Sequence, residues 1–164
     1  MQPSVRGRLA EAWGLFGVAF VFLKSAIQLG VRGVVTIGAG MSAQEWAAFI
    51  LICALFVYGE GVRALQQKYM PYVLPRIARL AEERASYQLL APLYALSLIG
   101  ATRRVVLKAW LGTATIVAAV VIVRHFPEPW RGIVDFAVAV ALTWGLVALM
   151  TSAWRIGREN GRSG

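Results

Sequence analysis

Residues 105–154 read VVLKAWLGTATIVAAVVIVRHFPEPWRGIVDFAVAVALTWGLVALMTSAW, and this stretch decides the fold class. It holds two long uncharged runs, residues 109–123 and 136–154. Both are close to the roughly 20 residues that an α-helix needs to cross a bilayer. Between them, HFPEPW at residues 125–130 predicts a turn, because each proline disfavours helix in the residue before it. We therefore expect a tight hairpin of two transmembrane helices.

The composition of the whole chain extends this prediction. Of its 164 residues, 59% are apolar and only 15% are charged, and the mean hydropathy is +0.63. Soluble domains carry about a quarter charged residues, so the excess apolar surface here requires lipid. The uncharged runs nearer the N-terminus are shorter, so spans there must include a charge at a helix end or in a pair. The sequence thus predicts an all-α integral membrane protein.

We expect four transmembrane helices that form one membrane domain over residues 1–164. Their predicted positions are about 9–31, 45–66, 105–125 and 131–154.

The connection at residues 67–104 is predicted to be an amphipathic, interfacial helical segment. Its stretch PRIARLAEERASYQLL, residues 75–90, mixes arginines with apolar residues at roughly helical spacing. Such a helix can lie in the headgroup plane, and a cytoplasmic cap packed on its own bundle fits the pattern equally well. Within the connection, residues 85–102 could instead form a fifth span.

The positive charges decide between four and five spans. The formal net charge is +9, with 17 Lys and Arg residues. Four spans place 13 of them on one side and leave four opposite, whereas a fifth span divides them nine to eight. Because basic residues concentrate in cytoplasmic loops, four spans with both termini in the cytoplasm are favoured. Arg outnumbers Lys, which together with abundant Ala, Val and Gly suggests a bacterial source and its inner membrane.

Charged residues inside predicted spans are the first candidate site residues, because a charge in the hydrocarbon region is costly. We expect two levels, each with both signs, so that neutralising pairs can form. Glu60 could instead pair with Arg63 three residues away, or it could titrate or bind a cation between its neighbouring glycines. The cytoplasmic level holds Glu11, Glu60, Arg63, Arg104 and Lys108, and the opposite level holds Lys24 and Asp135.

Two further residue sets have predicted roles. Arginines of the connection are candidate contacts for anionic lipid headgroups, namely Arg76, Arg79, Arg84 and Arg103. Small residues at four-residue spacing in the fourth helix allow close helix packing, namely Ala137, Ala141 and Gly145.

Several classes of chemistry are not indicated. The chain has one cysteine, Cys53, and one histidine, His125, so a disulfide, a CxxC pair or a bis-histidine haem cannot form within it. No metal site and no cofactor is predicted, and no nucleotide, protease or hydrolase motif occurs. The basic residues flank apolar runs without a nucleic-acid-binding motif, so we expect no nucleic-acid partner.

These observations favour a small non-enzymatic membrane protein. We expect a scaffold, assembly factor or accessory subunit that binds anionic lipid and either a membrane protein partner or a second copy of itself. One alternative is a subunit of an oligomeric transporter or channel, with Glu60, Lys24 and Asp135 along the path. Another is a membrane-bound enzyme acting on a lipid or quinone, which a polar cavity open to the cytoplasm near Glu60, Arg63, Arg103 and Arg104 would favour.

Overall fold

A computed structural model describes residues 5–162, and these residues are helical with no strand among them. Four segments are long and apolar enough to cross a membrane, which confirms the expected all-α architecture. These segments are Val5–Gly38, Ala43–Glu82, Arg103–Val123 and Trp130–Ile156.

The helices follow one another with short connections. In chain order they are α1 (Val5–Gly38), α2 (Ala43–Phe56), a π-helix (Val57–Tyr69, the π segment), α3 (Met70–Arg79), a 3₁₀ turn (Leu80–Glu82), α4 (Ala85–Leu89), α5 (Ala91–Ala95), α6 (Arg103–Val123) and α7 (Trp130–Arg162). The boundaries of α6 and α7 lie close to those expected on either side of HFPEPW. The N-terminus of α2 is closed by Ser42 and Glu45, which exchange hydrogen bonds in a capping box.

The second span is longer than the sequence suggested. We expected the second transmembrane helix to end near residue 66 and an interfacial helical segment to follow it, whereas helical backbone is continuous from Ala43 through Pro71 and Pro75 to Arg79. The π segment lies directly before these prolines, and a wide i→i+5 turn is one way to accommodate local disruption of α-helical hydrogen bonding.

Residues 85–102 do not form a fifth long helix. They fold into α4 and α5, which have five residues each, followed by a turn. Five helical residues rise only about 7.5 Å, far short of the roughly 30 Å hydrocarbon thickness.

The chain divides into two compact units. Unit 1 contains the described residues of ranges 1–21 and 71–122, and unit 2 contains those of ranges 22–70 and 123–164.

Unit 1 has its core where the start of α1 packs on the 80–99 segment. Leu80, Ala91 and Tyr94 are almost fully buried there together with Ala10. Gly14 permits the approach, because a Cβ at this position would lie 2.8 Å from a methyl carbon of Leu80. The sequence therefore places glycine where a helix must come close to its neighbour.

Unit 2 has its core along α7, which packs against α2 and the π segment. Ile133 and Leu149 on α7 are buried, and the rings of Phe136 and Phe49 are 5.3 Å apart. Gly33 of α1 has no room for a side chain, because a Cβ there would overlap Phe136.

Candidate functional site

An open, charged cavity in unit 2 is one candidate site among the described residues. It has a volume of about 680 Å³, within the range of small-ligand sites. Its lining residues are Val31, Arg32, Val35, Thr36, Ala39, Gly40, Glu45, Glu128, Pro129 and Arg131. Two guanidinium groups and two carboxylates therefore meet in one cavity with apolar side chains.

Three elements place the polar residues. Arg32 and Thr36 are one turn apart on α1 and so lie on one face of that helix. Glu45 belongs to the first turn of α2. Glu128 and Arg131 come from the turn before α7 and its first residues. These residues all lie where spans begin or end.

The two carboxylates already accept hydrogen bonds. An oxygen of Glu45 accepts the backbone N–H of Ser42 at 2.7 Å, and Oε2 of Glu128 accepts the Thr36 hydroxyl at 3.2 Å. By contrast, the guanidinium of Arg32 is exposed and makes no hydrogen bond or ion pair with the described side chains, although it lies within electrostatic range of Asp135. The cavity therefore has a cationic group with unused hydrogen-bond donors beside fixed carboxylates.

Asp135 lies behind the cavity on α7 and is 7% exposed. Its Oδ2 is 4.0 Å from Nε of Arg131, one turn earlier, and accepts no hydrogen bond from the described residues. The expected partner Lys24 is exposed and forms no ion pair within the described chain. The structure thus places Arg131, one turn earlier on the same helix, beside Asp135, and it does not bring Lys24 to this carboxylate.

The other charges of the predicted spans are also unpaired within the described part of the chain. Glu60 and Arg63 are exposed and form no ion pair with each other. Both lie in the π segment, whose wider turn takes residues i and i+3 off a common face. In unit 1, Glu11 is partly buried whereas Arg104 and Lys108 are exposed, and no ion pair joins them.

Arg76 has a structural role in unit 1 that the sequence did not indicate. Its guanidinium donates to the backbone oxygens of Tyr94, Ile99 and Gly100 at 2.9, 3.0 and 3.3 Å. It also lies 4.1 Å from the centre of the Tyr94 ring. Arg76 thus fixes the turn after α5, and its donors are directed at carbonyl groups. The remaining candidate lipid contacts, Arg79, Arg84 and Arg103, are exposed.

Tyr94 links this network to Glu83. Its hydroxyl donates to Oε1 of Glu83 at 2.7 Å. Burial, assisted by this hydrogen bond, raises the pKa of the Tyr94 hydroxyl above its usual value. The phenol therefore remains a neutral donor over a wider pH range than an exposed tyrosine.

The small residues of α7 contact their neighbours in unit 2. Ala137 and Ala141 are buried, and a Cβ at Gly145 would lie 2.5 Å from Leu65 of the π segment. Trp144 adds a hydrogen bond from Nε1 to the side-chain oxygen of Gln66 at 2.9 Å. Gly145 and the backbone oxygen of Ala141, which lies near Gly61, therefore place part of the small stripe in the contact between α7 and the π segment.

No protein family, curated protein or solved structure matches this chain.

Two other features bear on chemistry. Within residues 5–162, no three His, Cys, Asp or Glu side chains are grouped so that they could hold a metal ion. A second cavity, of about 520 Å³, lies in unit 1 beside Arg6 and Trp13. Neither cavity includes Glu60, Arg63, Arg103 or Arg104, the residues around which a polar cavity would have favoured an enzyme.

The sequence missed most of the unit 2 cavity. Thr36, Glu45 and Glu128 carried no signal as site residues, and Arg32 and Arg131 counted only among the four basic residues placed opposite the cytoplasmic side. Glu45, Glu128 and Arg131 lie at the ends of apolar runs beside Trp46 and Trp130, and Arg32 directly precedes another uncharged run. Such a pattern predicts how deep in the membrane a residue lies, but it does not predict which helices pack against each other.

Proposed function

We propose that this chain is a non-enzymatic membrane scaffold or accessory subunit, which binds a membrane protein partner through α6 and anionic lipid through unit 1. The observation that carries the proposal is the surface of α6. This apolar helix has 21 residues, and none of them is buried. Such a helix must be covered by lipid or by another protein, since its exposure to water would be strongly unfavourable.

One face of α6 suits a partner helix. Gly112, Thr115 and Ala119 share that face at i, i+3 and i+7, and all three are exposed. Nothing lies within 4 Å of a Cβ built at Gly112. Lipid solvates apolar side chains as well as a protein does, so close packing of small residues is what favours helix association in a bilayer. This face, the small face of α6, is therefore the expected contact.

Two basic residues lie on the same face of α6, on the N-terminal side of Gly112. Lys108 and Arg104 precede Gly112 by one and two turns, and both side chains are exposed. A carboxylate on the partner at this level would neutralise a charge that α6 leaves unpaired within the described chain. The expected partner is thus a transmembrane helix with small residues along its contact and an acidic residue near one end.

Unit 1 also supports the proposal for anionic lipid. Arg79, Arg84 and Arg103 are exposed on it, and its basic residues outnumber its acidic ones. Its cavity combines Arg6 with apolar walls that include Leu9 and Trp13. An arginine beside apolar side chains suits a lipid phosphate with its acyl chains.

Photo-crosslinking in the native membrane tests the partner. A photoreactive amino acid at position 115 or 119 should give a discrete crosslinked product, whereas one at position 117, on the opposite face, should give little. A product of twice the chain mass would identify a second copy as the partner. Equal yields at 115 and 117 would contradict the proposal, because lipid surrounds a free helix evenly.

A glycine pair provides the matched control. Gly112→Leu and Gly59→Leu each add a large side chain where nothing lies within 4 Å. Only Gly112→Leu should reduce the crosslinked product at position 119. Equal reduction by both variants would mean that the contact is not specific to α6.

Co-purified lipid tests the second part of the proposal. The double variant Arg84→Gln/Arg103→Gln should retain less phosphatidylglycerol after gentle-detergent purification than the control Arg155→Gln/Arg158→Gln, whose substitutions lie in unit 2. An unchanged lipid content would argue against anionic lipid binding by unit 1.

A further inference from the structure

We propose that the unit 2 cavity is a binding site for a zwitterionic phosphoethanolamine group, with the phosphate on Arg32 and Arg131 and the primary ammonium on Glu128 and Glu45. This site is separate from the surfaces of α6 and unit 1 invoked above. The inference rests on the balance of charge in the cavity, on the chemistry of its walls and on its level in the membrane.

The two arginine side chains of the cavity have hydrogen-bond donors that the protein does not use. The Arg32 guanidinium has no hydrogen bond or ion pair among the described side chains, and the Arg131 guanidinium has only Asp135, at 4.0 Å. A guanidinium group offers five N–H donors in a planar fork that matches the oxygens of a phosphate. Two such groups lining one cavity can therefore share one phosphate.

The two glutamates that line the cavity argue against a ligand that carries only negative charge. The formal charges of Glu45 and Glu128 cancel those of Arg32 and Arg131, and Asp135 lies directly behind Arg131. Each glutamate uses one hydrogen bond to the protein and retains further acceptor capacity. A ligand with separated charges of both signs satisfies all four groups, whereas a simple anion would face two carboxylates.

The residues that line the cavity distinguish a primary from a quaternary ammonium group. Sites for quaternary ammonium use aromatic side chains around the cation. None of the described residues that line this cavity is aromatic. Carboxylates that accept N–H hydrogen bonds suit a primary ammonium instead. The lining therefore favours ethanolamine over choline.

The depth of the cavity in the membrane indicates the molecule to which such a phosphoethanolamine group belongs. Glu45 and Arg131 are next to Trp46 and Trp130, which are partly exposed, and tryptophan favours the headgroup level of a bilayer. Val31 and Val35 give the cavity an apolar side against which acyl chains can lie. A phospholipid headgroup and a soluble phosphoethanolamine share the same chemistry, and the experiment separates them.

The experiment measures binding of short-chain lipids to the purified, delipidated full-length protein by native mass spectrometry. In the Arg84→Gln/Arg103→Gln background, in which the anionic-lipid surface of unit 1 is weakened, dioctanoyl phosphatidylethanolamine should bind more tightly than the phosphatidylcholine or phosphatidylglycerol with the same chains. Soluble phosphoethanolamine forms a second arm. Displacement of the lipid by an equal concentration of it would identify a soluble source, whereas displacement only at large excess would identify the lipid. Equal binding of the three lipids, or preference for phosphatidylglycerol, would overturn the proposal.

Matched variants locate the binding. Arg32→Gln should weaken phosphatidylethanolamine binding about tenfold or more, since it removes charge-assisted hydrogen bonds, while Arg63→Gln should not. Glu128→Gln should reverse the preference toward phosphatidylglycerol, because the cavity becomes net positive, whereas Glu60→Gln should leave the preference unchanged. All four side chains are exposed, so these variants should fold. Equal effects of Arg32→Gln and Arg63→Gln would place the lipid elsewhere.

Discussion

The most apolar windows of α6 and α7 have almost the same mean hydropathy but opposite surroundings. Nearly half of the most apolar window of α7 is buried, and none of α6 is. The difference lies in their contacts: Ala137, Ala141 and Gly145 bring α7 against neighbours in unit 2, whereas Gly112 on α6 has no atom nearby. Hydropathy therefore indicates that a helix belongs in an apolar medium, but packing decides whether that medium is protein or lipid.

The largest expected difference in stability between α6 and α7 comes from replacing a glycine on each helix with alanine. Gly132→Ala on α7 should lower the free energy of unfolding by up to about 3 kcal/mol, because its Cβ would overlap the side chain of Thr36. Gly112→Ala on α6 should be neutral or slightly stabilising, since alanine favours helix and has open space there. Thermal unfolding in detergent compares the two. A similar loss in both variants would mean that α6 is packed within the chain.

Truncation of a leucine on each helix should give a smaller contrast. Leu149 is fully buried on α7, whereas Leu111 on α6 is 58% exposed. Leu149→Ala should cost about 2 kcal/mol, since it leaves a cavity, and Leu111→Ala should change stability little because detergent or lipid fills the space. Urea unfolding in mixed micelles measures both. If Leu111→Ala destabilised the purified single chain as much as Leu149→Ala, the predicted difference between α6 and α7 would be wrong.

A tryptophan pair isolates one hydrogen bond. Trp144→Phe removes the bond to Gln66 and should cost about 1 kcal/mol. Trp110 on α6 donates no hydrogen bond to the described residues, so Trp110→Phe should leave stability unchanged in detergent. The double variant Trp144→Phe/Gln66→Leu, measured with its single variants, would show whether the cost belongs to the pair.

A pH titration examines the segment that precedes α6 and should show the smallest effect. The folded pKa of Tyr94 is raised above its usual value of about 10. Below that pH the phenol keeps its proton in both states, and above it the unfolded chain loses the proton first. Stability from Tyr94 should thus be complete below about pH 10 and decline as pH rises through the folded pKa. Unfolding of wild type and Tyr94→Phe between pH 8 and 12 should converge toward the alkaline end.

The sequence predicted four long apolar helices and the turn between α6 and α7, because hydropathy and proline act locally. It did not predict that Asp135 would have Arg131 as its neighbour instead of Lys24, since that depends on the rotation of each helix. It also assigned Arg76 to lipid, although its donors satisfy carbonyl groups 18 to 24 residues later in the chain. Contacts between distant segments leave no periodic pattern, and the unit 2 cavity consists of such contacts.

The capping box of α2 has a dynamic consequence for the cavity. Glu45 both lines the cavity and accepts the Ser42 N–H, so fraying at the start of α2 also loosens one cavity wall. An occupant that holds this carboxylate in place should slow amide hydrogen exchange at residues 42–45, because exchange there requires the cap to open. Deuterium uptake by this single turn would then report ligand occupancy, without any label on the ligand.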